Sequence, residues 1–236
     1  SADKLIQLAL AEDLEDRGDL TSRATVPTWA TAAVNLVARE DGVLSGSVLI
    51  ERVYAALCAL QQVPADTVSL LLTGERVALN FVIHLSGIAS MTAEFVRRTE
   101  GSRAVILDTR KTLPGFRLLH KYAVRCGGGS NHRIGLFDGM LIKDNHLAAR
   151  GSDSVADAVA TARSWLKEER LDLPVEVEVD TLEQLRDALA EQPEIVLLDN
   201  MKPAALRAAV TLRDDVSPQT LLEASGGVNL ETVGCI

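Results

Sequence analysis

The sequence has few cysteines and few aromatic residues. Its three cysteines, Cys58, Cys126 and Cys235, are far apart and form no C-x-x-C pair. Such spacing argues against a disulfide framework and against a structural zinc site. Aromatic residues make up only 3% of the 236 residues, whereas apolar residues make up 47%. The core must therefore consist of Ala, Val, Leu and Ile, which suits parallel strands covered by helices better than a β-sandwich.

Signals for export and for membrane insertion are also lacking. The first residues, SADKLIQLALAEDLED, place acids where a signal peptide has a basic and then an apolar run. No apolar run approaches the ~20 residues that a membrane span requires. We therefore expect a cytoplasmic protein with no membrane partner.

Positive charge is concentrated in one window of an acidic chain. The chain has 24 Lys and Arg against 33 Asp and Glu, a formal net charge of −9. Residues 103–146 hold eight of the bases, three of the acids and three of the four histidines, so this window is +5 and the remainder is −14. A nucleic-acid binder is more often basic overall or along one face. The pattern favours a site for a small polyanion and predicts no nucleic-acid partner.

Short β-branched runs alternate with helix-like stretches from about Ala104 onward. At or near the end of each run lies a polar or charged residue: Asp108, Lys143, Glu178, Asp199 and Ser225. The predicted helices between them span 118–126, 154–167, 182–190 and 203–212. This alternation predicts parallel strands with right-handed crossovers. Polar residues at the carboxyl end of strand after strand favour a (β/α) barrel, because active sites lie on that rim.

The residues before this region have a different pattern. A helix is predicted near 4–14, strand-like runs at 33–40 and 42–50, and a long helix at 73–98. Mixed strands and helices without a βαβ period predict a separate α+β domain. We place the boundary at 102–103, which gives an N-terminal domain over 1–102 and a barrel domain over 103–236.

Two loops of the basic window carry candidate anion ligands. Arg110 and Lys111 follow a predicted strand; a guanidinium suits a carboxylate and an ammonium suits a phosphate. A solvated surface loop is the alternative. Three glycines then precede His132 and Arg133, and glycine permits either a turn or close approach of the backbone to a ligand. Because His132 and Arg133 follow these glycines, we favour the role of an anion cradle over that of a simple turn.

The strand ends supply further candidates. Lys143 is compatible with a Schiff-base nucleophile, a general acid or a phosphate ligand. Glu178 and Asp199 suit Mg²⁺, which takes one or two carboxylates together with waters and substrate phosphates; salt bridges to the basic loops are the alternative. Ser225 and the two glycines after it suit a phosphate nest. His132 and His146 lack metal-ligand spacing, so we expect no histidine–metal site.

The run from Asp108 to His146, DTRKTLPGFR…KYAVRCGGGSNHRIGLFDGMLIKDNH, closely resembles the quinolinate phosphoribosyltransferases, also called nicotinate-nucleotide pyrophosphorylases (carboxylating). The segments LAEDLEDRGDLTS, ERVALNFVIHLSGIAS, VEVEVDTLEQL, EIVLLDN and LEASGGVN resemble that family in the same order. The resemblance implies an N-terminal α/β sandwich and a C-terminal open (β/α) barrel. It also implies a homodimer, or a dimer-based hexamer, with active sites shared between subunits.

The implied reaction joins quinolinate to phosphoribosyl pyrophosphate and gives nicotinate mononucleotide, pyrophosphate and CO₂ in de novo NAD synthesis. By the resemblance, Lys111 and Lys143 lie between the substrate carboxylate and the phosphate or pyrophosphate oxygens, while Glu178 and Asp199 serve the ribose hydroxyls and Mg²⁺. These four are the expected catalytic residues. The other implied substrate ligands are Arg76 (from the second subunit), Arg110, His132 and Arg133 for the carboxylates, and Ser225, Gly226 and Gly227 for the 5′-phosphate. Without the resemblance, Arg76 would be assigned to an exposed helix face.

Two alternatives to this function remain open at the level of sequence. One is a related phosphoribosyltransferase that accepts nicotinate and releases no CO₂. The other is an inactive homologue that binds the anion without turnover.

Overall fold

A computed structural model describes residues 1–151 and 154–236, and it divides them into two compact units, Ser1–His132 and Arg133–Ile236. The helices of the first unit are α1 (Ala2–Leu14), α2 (Leu20–Thr25), α3 (Val48–Gln61), α4 (Val68–Arg98) and α5 (Arg117–Cys126). The predicted domain boundary at 102–103 falls inside the first unit and stays a prediction.

The long helix α4 forms the centre of the first unit. Its buried stripe includes Leu70, Val77, Phe81 and Leu85, which pack in one core with residues of α1, α3 and α5. By length and composition alone α4 is apolar enough to cross a membrane. Its spaced apolar face, however, is that of a helix packed against others in a protein core.

The two strand-like runs near the N-terminus, at 33–40 and 42–50, do not form strands. Residues 32–46 have no regular structure, and the second run continues into α3. An extended segment needs partners for its backbone groups, and here α4 supplies them: Ser90 Oγ accepts from Val43 N at 2.8 Å and Ser86 Oγ accepts from Ser45 N at 3.0 Å. The prediction of strands there was wrong because hydroxyls replace a neighbouring strand.

The second unit is a parallel sheet with its helices packed on one face. The elements are β1 (Met140–Ile142), α6 (Asp144–Arg150), α7 (Val155–Glu168), β2 (Val175–Val179), α8 (Leu182–Ala190), β3 (Ile195–Asp199), α9 (Pro203–Val216), β4 (Leu221–Ser225) and a 3₁₀ turn, Val233–Cys235. The strands are neighbours in chain order, β1-β2-β3-β4. A doubly wound sheet reverses its order and carries helices on both faces. The α/β fold class is therefore confirmed, and the winding is that of an open (β/α) barrel.

Side-chain alternation gives the sheet two different faces. Val177, Val196 and Leu198 are buried in one core with Val159 of α7 and Leu185 of α8. The intervening residues of each strand point to the opposite face, which therefore carries the polar strand residues. The helices predicted at 154–167, 182–190 and 203–212 are present as α7, α8 and α9. The sequence also places Thr181 and Gln184 at capping-box spacing, and this capping box is present.

That capping box starts α8. Thr181 Oγ1 accepts from Gln184 N at 3.2 Å, and Gln184 Oε1 accepts from Thr181 N at 3.3 Å. The two bonds satisfy backbone donors that the first turn of a helix leaves free. The start of α8 is thereby fixed directly after β2, whose last residues carry Glu178.

Candidate active site

The carboxyl edge of the sheet brings Lys143 and Glu178 together. Ile142 of β1 pairs with Val177 of β2, so the residue after each lies at the same level of the sheet. Lys143 Nζ donates to Glu178 Oε2 at 2.8 Å. The Glu178 side chain is 14% exposed and that of Lys143 is 43% exposed. The pair therefore joins a nearly buried carboxylate to an ammonium that a ligand can still reach.

The next two strand ends carry Asp199 and Ser225 side by side. These two residues are partners in the β3–β4 register. Asn200, at φ 54°, follows Asp199; its backbone N–H donates to Ser225 O at 2.8 Å and its Nδ2 donates to Asp199 Oδ2 at 2.7 Å. Asn200 thus orients the carboxylate and locks the two strand ends together. Sequence reasoning missed this role.

Gly226 is glycine because of Asn200. Its φ is +83°, and a Cβ there would lie 2.1 Å from Asn200 Oδ1. Gly227 also has positive φ, +66°, but a Cβ on it would meet no atom within 4 Å. The turn after β4 therefore combines positive φ at both glycines with open space beside Gly227, which suits a phosphate nest next to Ser225.

Arg133 begins the second unit in a short loop closed by Asp138. Arg133 Nη1 donates to Gly139 O at 3.0 Å. Asp138 accepts from Ile134 N at 2.7 Å and from Gly135 N at 2.8 Å. The carboxylate satisfies the backbone of the loop, so the loop that leads into β1 has a defined course.

In the first unit, Arg110 and Lys111 lie on a tight turn. Lys111 N donates to Thr109 Oγ1 at 3.0 Å, and Arg117 donates from Nη2 to Arg110 O and from Nε to Thr112 Oγ1, each at 3.3 Å. Lys111 is exposed and Arg110 is half-buried. Arg110 Nε is buried and has no hydrogen-bond partner within the described structure. A buried donor without a partner is costly unless a ligand completes it.

The three glycines before His132 serve packing as well as turning. A Cβ on Gly127 would lie 2.3 Å from the backbone oxygen of Ala89 on α4, and one on Gly129 would lie 2.8 Å from Thr92 Cγ2. Only Gly128, at φ +85°, needs the left-handed region. Of the two predicted roles, the turn is present at Gly128, and close contact with α4 explains the glycines on either side.

A buried polar network, which sequence reasoning missed, holds His132. Asp108 Oδ1 accepts from Lys121 Nζ and, at 2.9 Å, from His132 N, while Asp108 Oδ2 accepts from Asn131 Nδ2 at 2.6 Å. Lys121 Nζ also donates to His132 O at 2.9 Å. One signal in the sequence was available: Lys121 lies three residues before buried Val124 of α5, on the inward face of that helix.

The predicted run 104–108 is not an extended strand. It contributes a single parallel bridge, between Leu107 and Ser130, through the bonds Ser130 N to Ile106 O and Asp108 N to Ser130 O. With only one short partner segment the run cannot build a ladder. Asp108 nevertheless ends it beside the loop that carries His132.

Arg76 lies on α4, where it is exposed. Its neighbour Glu75 lies near Tyr54, whose pKa is raised by burial and, to a lesser extent, by that carboxylate. Within the first unit, the structure thus links the Arg110 turn to His132 through Asp108, and it leaves Arg76 on a separate element. Within the second unit, it pairs Lys143 with Glu178, and Asp199 with Ser225 and its glycines.

These features are typical of an α/β enzyme whose candidate site lies at the carboxyl edge of a parallel sheet. Residues 88–236 match the family model for the quinolinate phosphoribosyl transferase C-terminal domain. Nicotinate-nucleotide pyrophosphorylase (carboxylating) from Mycobacterium leprae is 46% identical over 252 residues, which cover 96% of this chain and 84% of that protein. The chain belongs to the quinolinate phosphoribosyltransferase family.

Another relative and a solved structure support the same family assignment. Quinolinate phosphoribosyltransferase (decarboxylating) 2, mitochondrial, from Nicotiana glauca is 36% identical over 264 residues, covering 98% of this chain and 73% of that protein. The crystal structure of NadC from Streptococcus pyogenes has a TM-score of 0.87 and 39% identity, and the match covers 98% of this chain and 85% of that one. The family's reaction uses quinolinate and phosphoribosyl pyrophosphate and forms nicotinate mononucleotide with decarboxylation, in NAD synthesis.

Proposed function

We propose that this chain transfers the phosphoribosyl group of phosphoribosyl pyrophosphate to quinolinate and releases nicotinate mononucleotide, pyrophosphate and CO₂. Membership of the family supports the reaction. The observation that carries the proposal for the site is the carboxyl edge of the sheet, where Lys143 and Glu178 form an ion pair and Asp199 lies beside Ser225. Both substrates are anionic, so their binding requires fixed cations and backbone donors.

Quinolinate is a dicarboxylate, and the forked cations are its proposed ligands. Arg110, His132 and Arg133 bind its two carboxylates, and Arg76 of a second subunit completes the clamp. Support comes from the half-buried guanidinium of Arg110, whose Nε has no partner within the described residues. A carboxylate there forms charge-assisted hydrogen bonds, which are about twice as strong as neutral ones.

Phosphate oxygens are assigned to the ammonium groups and the glycine turn. Lys111 and Lys143 lie between carboxylate and pyrophosphate oxygens, and the hydroxyl of Ser225 with the N–H groups of Gly226 and Gly227 binds the 5′-phosphate. Glu178 and Asp199 accept hydrogen bonds from the ribose hydroxyls. Both glycines have positive φ, a conformation that suits an anion nest of backbone N–H groups.

In this reaction the protein contributes the positioning of both substrates and the electrostatic stabilisation of developing charge. As pyrophosphate leaves, C1 of the ribose gains positive charge and the leaving oxygens gain negative charge, which Lys143 and Lys111 stabilise. The quinolinate nitrogen attacks C1, and the ring becomes a pyridinium. The bond from C2 to the adjacent carboxylate then breaks and CO₂ leaves. The electron pair stays on C2, beside the pyridinium nitrogen, and C2 then takes up a proton from water. Correct orientation of both substrates supplies much of the rate.

Mg²⁺ is the proposed metal, and its ligands are Glu178 and Asp199. Oxygen donors from one or two carboxylates suit this ion, which keeps waters and binds substrate phosphates. Both carboxylates lie at strand ends, and Asp199 is oriented by Asn200. When bound, the ion neutralises pyrophosphate charge. Activity lost with EDTA and restored by Mg²⁺ is the expected result, whereas full activity after chelation would contradict the assignment.

We also propose a cytoplasmic protein that works as a homodimer or a dimer-based hexamer, without nucleic-acid or membrane partners. The three cysteines are unpaired, which fits a reducing compartment. Mixing the inactive variants Arg76→Ala and Lys143→Ala tests the shared site. Restored activity in the mixture is expected, because one site of a mixed dimer then has both residues; a mixture that stays inactive would contradict sharing.

The reaction is tested with quinolinate labelled at its 2-carboxylate, phosphoribosyl pyrophosphate and Mg²⁺. Labelled CO₂ and nicotinate mononucleotide should appear in equal amounts. Product formed from nicotinate alone, with no CO₂ from quinolinate, would identify a non-decarboxylating transferase. Tight quinolinate binding without product would identify an inactive anion-binding homologue.

A further inference from the structure

The ion pair between Lys121 and Asp108 lies buried in the first unit. The Lys121 side chain is 4% exposed and that of Asp108 is 8% exposed. Taking two charges out of water is costly, and such a pair often stabilises a fold no better than apolar residues would.

The pair fixes the backbone of His132 from both sides. Asp108 Oδ1 accepts from the N–H of His132 at 2.9 Å, and Lys121 Nζ donates to the carbonyl of the same residue at 2.9 Å. Asn131 closes the network, since its Nδ2 donates to Asp108 Oδ2 at 2.6 Å and to Lys121 O at 2.9 Å. Two residues in sequence are thus held by a single carboxylate and a single ammonium.

The same carboxylate lies next to the Arg110 turn. Asp108 precedes Thr109, Arg110 and Lys111, and its backbone N–H donates to Ser130 O at 3.1 Å. A change in the position of Asp108 therefore moves the start of the Arg110 turn and the backbone of His132 together. The two segments assigned to the quinolinate carboxylates share one buried anchor.

We propose that Lys121 and Asp108 are positioning residues for quinolinate: they set where the His132 imidazole and the Arg110 guanidinium lie, and they do not touch the substrate. The inference rests on the proposed function, which assigns His132 and Arg110 to the carboxylates. Misplacement of binding groups by about 1 Å is enough to lower rates by about 100-fold. Loss of the anchor should therefore weaken quinolinate binding far more than binding of the sugar-phosphate donor.

The test compares Lys121→Met, Asp108→Asn and the double variant, with steady-state KM values for each substrate and quinolinate affinity by calorimetry. Each single variant should raise the KM and Kd for quinolinate about tenfold or more. The KM for phosphoribosyl pyrophosphate should rise much less, because only one of its proposed ligands, Lys111, lies on the Arg110 turn. The double variant should lose less than the product of the single effects, because both residues act on one network.

Thr220→Val is the matched control for loss of a buried polar network. Thr220 is buried in the second unit, where its Oγ1 contacts Ser217 Oγ and donates to Pro193 O, each at 2.8 Å. This variant should lower Tm and leave both KM values unchanged. If Lys121→Met fails to fold, Asn131→Ala removes one donor to Asp108 and should show the same selective rise in KM on a smaller scale.

Folded single variants with unchanged quinolinate affinity would overturn the proposal. Equal rises in both KM values, as from general loosening, would also overturn it. If the unaltered chain forms no nicotinate mononucleotide, the proposed function fails instead. Calorimetry with quinolinate then still decides whether Lys121 and Asp108 position a quinolinate-binding segment.

Discussion

The two units hold their candidate ligands by different means. In the second unit, Lys143, Glu178, Asp199 and Ser225 lie at strand ends, and the register of a parallel sheet sets their positions. In the first unit, the Arg110 turn and His132 lie on irregular segments that a buried ion pair holds. Backbone ladders therefore position the candidate ligands of the second unit, whereas side-chain hydrogen bonds position those of the first unit.

This difference predicts different responses to substitution. A strand end keeps its place when one side chain changes, because many backbone bonds and a packed core support it. A loop held by one carboxylate loses its place when that carboxylate is lost. Substitutions at the strand ends should therefore affect chemistry more than stability, while those around the loops should change both.

Loss of the Lys143 ammonium should give the largest effect. Lys143→Met should lower kcat/KM by about 100- to 1000-fold, because a fixed charge at the leaving phosphate is lost. Stability should fall by less than activity: Lys143 is 43% exposed, but the Glu178 carboxylate, 14% exposed, loses its partner. Steady-state kinetics and urea denaturation of the same preparation measure the two quantities.

The control for that variant is Arg163→Met. Arg163 also forms an ion pair at 2.8 Å in the second unit, with Glu194, but away from the strand ends that carry the site. Unchanged kinetics are expected here. A comparable loss of kcat/KM in Arg163→Met would mean that ion pairing in general, and not the position of Lys143, controls activity.

The two glycines after β4 separate a steric effect from a backbone effect. Gly226→Ala places a Cβ 2.1 Å from Asn200 Oδ1, whereas Gly227→Ala meets no atom within 4 Å. Positive φ should lower the free energy of unfolding of both variants by about 1–2 kcal/mol. The clash should lower that of Gly226→Ala by about 1–3 kcal/mol more. Gly226→Ala should therefore unfold at lower urea and show the larger KM for phosphoribosyl pyrophosphate.

Asn200→Gly in the Gly226→Ala background sharpens this test, because glycine tolerates the positive φ of position 200. Removal of the Asn200 amide relieves the contact with the new methyl group, so part of the lost stability should return. No recovery would show that backbone strain at Gly226, and not its contact with Asn200, requires glycine there.

A matched glycine pair tests packing in the first unit. Gly127→Ala directs a Cβ to 2.3 Å from the backbone oxygen of Ala89 on α4, which should lower the free energy of unfolding by about 1–3 kcal/mol. Gly87→Ala, on α4 itself, meets no atom within 4 Å and should raise it by about 0.5–1 kcal/mol. Urea denaturation measures both; equal effects would contradict the close contact.

Sequence reasoning succeeded where local pattern and topology coincide. Helix α8 has the predicted bounds because Thr181 and Gln184 form a capping box, and the strands β2 and β3 coincide with predicted short β-branched runs. The juxtaposition of Asp199 with Ser225 followed from parallel pairing. Each of these inferences used neighbours in sequence or one regular repeat.

It failed where distant side chains replace backbone partners. Residues 33–40 have the composition of a strand, yet the segment they belong to is held by Ser86 and Ser90 of α4. Lys121 is one of the eight bases of the window 103–146, whereas its ammonium is buried against Asp108. Composition gives the presence of such groups, but only the packing of α4 and α5 decides what each of them contacts.

A histidine pair between α4 and α5 gives the smallest predicted effect. The Nε2 atoms of His84 and His120 are 2.8 Å apart, and burial, then the nearby His84, lowers the pKa of His120 from 6.5. An unfolded chain therefore takes up this proton at higher pH than the folded chain does. The associated stability is complete above about pH 6.5 and declines as pH falls through the lowered folded pKa.

His120→Gln keeps a hydrogen-bonding side chain beside His84 and removes this titration. Its urea midpoint should fall less than that of the unaltered chain between pH 7 and the lowered pKa, because the unfolded state no longer gains the proton there. Asp19 provides an internal reference: hydrogen bonds from Ser22 lower its pKa from 3.8, so its contribution declines only in more acidic solution and should be the same in both chains. Parallel midpoint curves below pH 6.5 would show that the contact between α4 and α5 carries no proton-linked stability, and that packing alone holds the helices of the first unit.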